Sequence, residues 1–433
     1  MLEKFNFFSK KSFRYATIGS VSIRFGSAFF AFLNGILLAR LLSVEGLGKY
    51  VLVFSTITVL SIPATMGIPQ LLTRYVSKYE VHNKESLLKG LLIKTNRFVF
   101  FSTLLIYALA SISYFFWWKN YGTEMVYTII YGLILLPILG FGALRSASLR
   151  GLKLIILAEL PETLFRNLLF TVFLSVNFLL GYNLTPKWAM LFQVIAAGIG
   201  FLIGYLFLRR HLLLKLRNVR PLFEQKHWIK ETIPFSINSG VQVTRSKLLT
   251  YVLAIFGSVE AVAIFEVATR GATLVSFTLN ALNTAISPFI STAFEKGDKI
   301  YLQKIIRKTG RIIFAFSLPV ALLFIFGGTT LLTFIFGAQY ENAYIPLVIL
   351  CIGQLVSSMV GSVGLLLSMT GNQRVFSNSN LLMLILNVIL SIPLIIYLDV
   401  IGASIVYSLL LIVQNLVLLS YVRKKLKINT AII

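Results

Sequence analysis

Residues 234–289 contain two apolar stretches, PFSINSGVQVTRSKLLTYVLAIFG and, three residues later, AVAIFEVATRGATLVSFTLNALNTAISPF, each long enough to cross a membrane. Charges lie well inside both of them: Arg245 and Lys247 in the first, Glu266 and Arg270 in the second. A charge at mid-bilayer costs about 2.5–3.5 kcal/mol on insertion scales, so such residues normally face protein or a water-filled cavity. The stretch therefore predicts that a polar group is handled inside the membrane.

Polar residues line one face of each of these two helices. The first face carries Asn238, Gln242 and Arg245 at positions i, i+4 and i+7. The second face carries Glu266, Arg270, Thr273, Asn280 and Thr284. Lys247 lies roughly 200° around the helix from Arg245, so it fits the same cavity less well and faces a neighbouring helix or the outer interface. The predicted substrate contacts from this stretch are Gln242, Arg245, Lys247, Arg270 and Asn280.

Composition is that of a membrane protein rather than a soluble one. The chain is 57% hydrophobic and 13% charged, with a mean hydropathy of +0.85. Its net charge of +25 does not indicate a nucleic-acid partner, because the basic residues follow the membrane topology described next. Cys351 is the only cysteine and the three histidines have no ligand spacing. The sequence therefore predicts no disulfide, no metal site, no cofactor and no enzymatic activity.

Twelve apolar spans of about 20 residues fit the chain. We place them at 16–40, 50–72, 98–118, 125–145, 156–181, 188–208, 234–257, 261–289, 312–335, 344–369, 377–397 and 400–421, with Pro63 expected to bend or break the second. Loops on the N-terminal side of the membrane carry 31 of the 40 Lys and Arg residues, whereas loops on the opposite side carry four. By the positive-inside rule, both termini are then cytoplasmic.

The two halves of the chain are weakly similar to each other. ARLLSVE (39–45) matches AIFGSVE (254–260) at an offset of 215, and three residues between Ser148 and Asn167 match positions 220 residues later. This order favours a duplicated six-helix unit with a substrate site near the membrane midplane between the repeats. The expected domains are an N-lobe at 1–208, a cytoplasmic linker at 209–233 and a C-lobe at 234–433.

The first span has a polar face that includes Arg24 and Asn34. Arg24 lies roughly 12 Å into its helix, a depth similar to that of the arginines in the seventh and eighth spans. We add Arg24 and Asn34 to the predicted substrate contacts, with a helix–helix hydrogen bond or snorkelling as the structural alternative for Arg24. Arg145 and Arg150 lie at predicted cytoplasmic ends, where topology explains them, although they could also attract an anionic group.

Glu266 precedes Arg270 by one helical turn, which allows two interpretations. The two residues form either a local ion pair that only neutralises both charges, or a pair that substrate or a proton can disrupt. In the second case Glu266 is the predicted ion- or proton-coupling residue. Glu162 and Arg166 repeat the spacing in the fifth span, with Glu159 nearby, and there a structural pair is favoured.

Seven short motifs follow one another over nearly the whole chain. They are LLARLLSVEGLGKY (37–50), MGIPQLLTRY (66–75), SLRGLK (148–153), IPFSINS (233–239), FGAQYENAYIPLVIL (336–350), SMTGNQR (368–374) and LNVILSIPLI with IGAS (386–395, 401–404). No single motif is diagnostic, since each is a short mixture of Gly, Pro and apolar residues. As an ordered set they resemble the Wzx-type polysaccharide-unit (O-antigen) flippases of the multidrug/oligosaccharidyl-lipid/polysaccharide (MOP) exporter superfamily.

This resemblance implies an all-α fold with twelve transmembrane helices in two pseudo-symmetric six-helix lobes that alternate between inward- and outward-open states. It implies that the cargo is an undecaprenyl-diphosphate-linked oligosaccharide, moved to the periplasmic leaflet of the bacterial inner membrane. The headgroup would lie in a cationic central cleft, since Arg offers bidentate contacts to phosphate and Lys adds a point charge. The expected partners are this lipid-linked oligosaccharide, the lipid bilayer, and a polymerase and chain-length regulator of the same pathway. We expect a monomer that binds no nucleic acid.

Two other functions compete with this one. A small-molecule or drug exporter of the same superfamily usually carries a carboxylate in its first helix for cation coupling, whereas this chain has Arg24 there. A membrane polysaccharide polymerase typically has a large periplasmic loop, whereas the predicted outer loops here, such as 41–49, are short. The peptidoglycan-precursor flippases are also similar, but they have fourteen helices.

Overall fold

The computed structural model describes residues 10–116 and 122–430, and all regular secondary structure within those ranges is helical. The helices are α1 (Lys10–Leu41), α2 (Val44–Thr65), α3 (Ile68–Val81), α4 (Glu85–Phe116), α5 (Thr123–Gly151), α6 (Ile155–Glu159), α7 (Arg166–Leu180), α8 (Pro186–Leu208), α9 (Gln225–Phe256), α10 (Val259–Glu295), α11 (Lys299–Ile335), α12 (Tyr344–Val360), α13 (Val363–Met369) and α14 (Gln373–Leu426). π-Helical segments at Leu160–Phe165 and Arg209–Leu213 link α6 to α7 and extend α8, and a 3-10 segment at Ala338–Ala343 precedes α12. The predicted all-α class is confirmed.

Ten helices in the described ranges are long and apolar enough to cross a membrane. Helix α9, which carries Arg245 and Lys247, is not among these ten. Helix α14 counts once, although its 54 residues are interrupted by a non-helical conformation at Asp399 (φ 47°, ψ −125°), between the last two predicted spans. The multi-pass membrane class is therefore shown, whereas the count of twelve and the cytoplasmic side of the termini remain predictions.

Two of the predicted spans are wrong as single helices. Span 50–72 is divided at Met66 and Gly67, where φ is 41° and 68°, and not at Pro63, which lies inside α2. Pro69 follows in the first turn of α3, where its missing N–H removes no helical hydrogen bond. Span 344–369 is divided between α12 and α13 at Gly361, with φ 80°.

Packing divides the chain into two compact units. Unit 1 comprises Met1–Leu42 and Val53–Val243, and unit 2 comprises Ser43–Leu52 and Thr244–Ile433. Unit 1 has a core of buried apolar side chains from α3, α4, α5 and the segment after α8, for example Leu72, Leu88, Ala147 and Leu212. The core of unit 2 joins α10, α11, α13 and α14, for example Ile290, Ile306, Leu366 and Val422. The boundaries predicted for the N-lobe (1–208), the linker (209–233) and the C-lobe (234–433) stay predictions.

Many apolar side chains of the predicted spans face outward rather than into these cores. Leu179, Phe326 and Phe334 are 82%, 82% and 76% exposed. Such exposure would be unfavourable in water but matches a bilayer environment, where apolar side chains contact acyl chains. The burial pattern thus agrees with the membrane class derived from composition.

Candidate functional sites

Arg24 on α1 forms a two-point ion pair with Glu159, the last residue of α6. Arg24 Nη2 lies 2.6 Å from Glu159 Oε1, and Arg24 Nε donates to Oε2 at 3.2 Å. The Glu159 side chain is only 7% exposed, whereas that of Arg24 is 56% exposed. The charge of Arg24 is therefore compensated within unit 1 by a buried carboxylate, and a paired guanidinium has less charge to offer an incoming anion.

A second ion pair, Arg145–Glu162, is buried in the same unit. Arg145 Nη2 lies 2.9 Å from Glu162 Oε1, and the two side chains are 2% and 15% exposed. Glycines make room for the pair, because a Cβ at Gly204 would lie 2.0 Å from Arg145 Nη1 and one at Gly142 would lie 2.4 Å from Glu162 Oε1. Arg145 is therefore packed inside the helix bundle as one half of an ion pair, a contact that its predicted position at the end of a span did not indicate.

Beside these pairs, unit 1 has a pocket of about 330 Å³ with an excess of positive charge. Three arginines (Arg24, Arg150 and Arg166) and two glutamates (Glu159 and Glu162) line it, together with the hydroxyl side chains of Ser146 and Thr163. Arg150 Nη1 donates a hydrogen bond to Ser146 Oγ at 3.0 Å. Arg24 is the exposed arginine of this lining, whereas Arg150 and Arg166 are half-buried, and Glu159 already pairs with Arg24.

Arg245 on α9 has a different kind of environment, in unit 2. Its Nη1 donates to Asn380 Oδ1 and its Nη2 donates to Gln414 Oε1 at 2.5 Å, while Gln414 Nε2 donates to Asn380 Oδ1 at 2.8 Å. Both acceptors are neutral amides on α14. Among the described residues, no carboxylate lies within ion-pair distance of this guanidinium, so its positive charge is uncompensated.

Glu266 and Arg270 form the predicted i,i+4 ion pair on α10. Glu266 Oε1 lies 2.8 Å from Arg270 Nη2 and 2.9 Å from Nε, and the two side chains are about equally exposed, at 24% and 25%. Lys247 on α9 is half-buried and interacts electrostatically with Glu266, so it faces a neighbouring helix, one of its two predicted positions. Two cations thus share one carboxylate in this cluster.

The remaining predicted contacts differ in their availability. Asn34 is 5% exposed, donates from Nδ2 to the Asn167 carbonyl at 3.1 Å and accepts from Thr171 Oγ1 at 2.7 Å. It therefore joins α1 to α7, and we leave it out of the proposed site. Gln242 and Asn280 are exposed on α9 and α10, as a contact residue requires. The Asn238 side chain lies outside the described residues.

Sequence reasoning missed the partners of the arginines. Asn380 and Gln414 are ordinary amides in apolar helices, and nothing in their sequence context separates them from other polar residues of the spans. Glu159 was noticed only for its proximity to Glu162. Within residues 10–116 and 122–430 there is no group of three or more His, Cys, Asp or Glu residues that could hold a metal ion.

A family described as polysaccharide biosynthesis protein matches residues 16–294, well over half of the chain. The chain belongs to this family. No curated protein sequence is significantly similar to it.

Solved structures of MOP-superfamily transporters share the fold of this polysaccharide biosynthesis family member. A multidrug resistance MATE family transporter in its inward-facing conformation is similar with a TM-score of 0.76 and 16% identity, covering 95% of this chain and 98% of the transporter. The lipid II flippase MurJ, in an inward closed conformation, is similar with a TM-score of 0.70 and 15% identity, covering 94% and 87%. A MOP-superfamily transporter from Pyrococcus furiosus, described as having a binding pocket of reversed polarity, gives a TM-score of 0.64 with 15% identity over 95% and 94%. The predicted MOP fold is thereby confirmed.

Proposed function

We propose that the protein is a flippase that moves an undecaprenyl-diphosphate-linked oligosaccharide from the cytoplasmic to the periplasmic leaflet of the bacterial cytoplasmic membrane. Transport proceeds by alternating access, with twelve spans in two six-helix halves and both termini in the cytoplasm. The chain's own family supports a role in polysaccharide biosynthesis. The MOP fold, which the chain shares with a lipid flippase and with multidrug transporters, suits a transporter.

The observation that carries the proposal is the uncompensated charge of Arg245. A guanidinium inside a membrane span with only amide acceptors is costly, and such a charge is normally retained because it pairs with something. A diphosphate is the anionic part of the proposed cargo, and it offers oxygens that match the guanidinium fork. The exposed polar side chains Gln242 and Asn280 provide amide groups of the kind that bind sugar hydroxyls.

The competing function is a cation-coupled small-molecule or drug exporter of the same superfamily. Arg245 and the surplus cation beside Glu266 favour an anionic cargo instead. We also propose that Glu266 couples transport to protons. Glu266 Oε1 lies 2.8 Å from Arg270 Nη2, and substrate or a proton would compete for this contact.

The test is transport by the full-length protein reconstituted into vesicles that contain undecaprenyl-diphosphate-linked oligosaccharide, with the oligosaccharide exposed on the far leaflet as the readout. The wild type should flip the lipid, and Arg245→Gln should lower the rate by about tenfold or more, since one lost charge-assisted contact is worth about 1.5–3 kcal/mol. Arg97→Gln, the same change at an exposed arginine of α4, is the control and should transport normally.

Two results would contradict the proposal. A wild-type protein that moves no lipid-linked oligosaccharide but exports cationic dyes would place it with the drug exporters. Equal transport by Arg245→Gln and the wild type would remove Arg245 from the site.

The same vesicles under an imposed pH gradient test the role of Glu266. If transport by Glu266→Gln depends on the gradient as transport by the wild type does, Glu266 has no role in proton coupling.

A further inference from the structure

The arginine sites of the two units occupy matching positions in the sequence. Arg24 and Glu159 are 135 residues apart, and so are Arg245 and Asn380. The third member of the unit 2 site, Gln414, lies 169 residues after Arg245. The residue 169 positions after Arg24 is also a glutamine, Gln193, which is buried in α8. A single offset of 221 therefore relates Arg24, Glu159 and Gln193 in sequence to Arg245, Asn380 and Gln414.

The offset exceeds by six residues the offset of 215 between ARLLSVE and AIFGSVE. Arg245 consequently lies roughly 9 Å closer to the end of its helix than Arg24 does, at 1.5 Å per residue. The sets are therefore related but not superimposable. Both join the first helix of a half to a helix of its fifth predicted span, α1 to α6 in unit 1 and α9 to α14 in unit 2.

One chemical difference separates the two sets, and it changes the charge. The acceptor in unit 1 is the carboxylate of Glu159, which cancels the charge of Arg24. The acceptor in unit 2 is the amide of Asn380, which has nearly the same shape as an aspartate but no charge. An amide can orient a guanidinium as a carboxylate does, but it leaves the full positive charge available to a ligand.

The amides also leave donors of Arg245 available. A guanidinium has five N–H donors, and the described contacts of Arg245 use two of them, one to Asn380 and one to Gln414. The phenol of Tyr407 on α14 interacts electrostatically with Arg245. Its oxygen accepts a hydrogen bond from Gln354 Nε2 at 3.3 Å. Neither Gln354 nor Tyr407 contributes a negative charge, so nothing described around Arg245 competes with an anion.

We propose that Asn380 and Gln414 are positioning residues that hold Arg245 as a permanent cation for a diphosphate group, whereas Glu159 keeps Arg24 neutralised. Anion affinity then rests on unit 2, and the acceptor residue rather than the arginine distinguishes the two sites. This inference rests on the proposed function for the identity of the cargo, because it names which cation of the chain takes the diphosphate. The sequence-level prediction treated Arg24 and Arg245 as equivalent.

The test exchanges the two acceptors. Inorganic pyrophosphate is titrated by calorimetry into the full-length protein in nanodiscs of neutral lipid. Asn380→Asp places a carboxylate on Arg245 without changing its shape, and we expect it to weaken pyrophosphate binding by about tenfold or more. Glu159→Gln removes the counter-charge from Arg24, and we expect it to bind pyrophosphate severalfold more tightly than the wild type. Asn96→Asp, at an exposed asparagine on α4, controls for an added negative charge elsewhere.

The wild type and the three variants should have similar Tm values, because each substitution nearly preserves the shape of the side chain. Similar Tm values show that all four proteins are folded. The proposal is overturned if Asn380→Asp binds pyrophosphate as the wild type does, if Glu159→Gln loses binding, or if the wild type binds no pyrophosphate. In flipping assays Asn380→Asp should raise the half-saturating concentration of lipid-linked substrate more than it lowers the maximal rate. A purely structural role for Asn380 would instead lower the amount of active protein at an unchanged half-saturating concentration.

The source of the diphosphate is resolved by a second arm of the titration. Nanodiscs containing undecaprenyl diphosphate should block pyrophosphate binding to the wild type, whereas nanodiscs containing phosphatidylglycerol should leave it in place. If phosphatidylglycerol blocks equally well, the site takes a general lipid phosphate and the assignment to a diphosphate is wrong. A wild type that binds pyrophosphate but flips no lipid-linked oligosaccharide would refute the proposed function while leaving the difference between the two acceptors intact.

Discussion

Gly204 on α8 lets the Arg145 guanidinium lie buried beside Glu162. A Cβ at this position would lie 2.0 Å from Nη1 and 2.1 Å from Cζ, so the whole guanidinium group would have to move. It cannot do so without breaking the ion pair and leaving a charge buried. We predict that Gly204→Ala destabilises the protein by about 1–3 kcal/mol, the usual cost of overpacking, measured as a lower Tm in detergent.

Gly198 on the same helix provides the matched control, since a Cβ there meets no atom within 4 Å. Gly198→Ala should raise the Tm slightly, because alanine is favoured over glycine in a helix by about 1 kcal/mol. Equal Tm values for the two alanine variants would show that Arg145 can move away from α8 at no cost, contrary to the prediction.

The same residues show why some side-chain partners could be predicted and others could not. Glu266 and Arg270 are one turn apart on one helix, so helical spacing alone predicts their contact. Arg24 and Glu159 are 135 residues apart, and their contact depends on how α1 packs against α6. The sequence marked both arginines as unusual, because a charge inside an apolar span is visible without a structure. It could not distinguish a neutralised cation from an available one.

At the scale of elements, the N-terminal half of α9 packs along α3 through an approach that requires a glycine. A Cβ at Gly67 would lie 2.5 Å from the backbone nitrogen of Ser236, and Gly67 also has a φ of 68°. Polar contacts continue along the two helices, for example Tyr75 Oη to His227 Nε2 at 2.7 Å. We predict that Gly67→Ala separates these helices and increases hydrogen exchange in residues 225–239 by about tenfold or more, on the basis of a cost of about 1–3 kcal/mol.

Gly181 separates the two effects of this substitution, since its φ is also 68° but a Cβ there meets no atom within 4 Å. Gly181→Ala should carry the backbone strain alone and leave exchange in residues 225–239 unchanged. An unchanged exchange pattern in Gly67→Ala would show that α9 does not depend on the close approach to α3.

Helix breaks were the least predictable elements, and the reason is physical. Pro63 is predicted to bend or break the second span, and it lies inside α2, where a membrane protein can satisfy the freed carbonyl in other ways. The break occurs at Met66 and Gly67, and Pro69 follows two residues after Gly67. The combination of a glycine and a proline in the next helix's first turn is itself a signal, which hydropathy averaged over 20 residues conceals.

For the whole molecule, the distribution of basic residues and the helix pattern test one another. Of the 40 Lys and Arg residues, 31 fall in loops predicted to face the cytoplasm, and a single misplaced helix would scramble that distribution. The ten apolar helices counted in the described ranges do not include α9, and they count α14 once. The break at Asp399 is therefore decisive for topology, because it determines whether α14 crosses the membrane once or twice.

We predict that α14 crosses twice, with the break at Asp399 on the periplasmic side of the membrane and Lys424 in the cytoplasm. The protein's one cysteine, Cys351, is buried and can be replaced by alanine. Single cysteines are then introduced at four exposed positions: Lys84→Cys, Asn183→Cys, Asp399→Cys and Lys424→Cys. A maleimide that cannot cross the membrane should label intact cells only at Asn183→Cys and Asp399→Cys, because the positive-inside rule places Lys84 and Lys424 on the cytoplasmic side.

Permeabilised cells should be labelled at all four positions, which controls for the accessibility of each cysteine. Labelling of Lys424→Cys in intact cells, at the level of Asn183→Cys, would mean that α14 does not return to the cytoplasm, and the twelve-span arrangement would then be wrong.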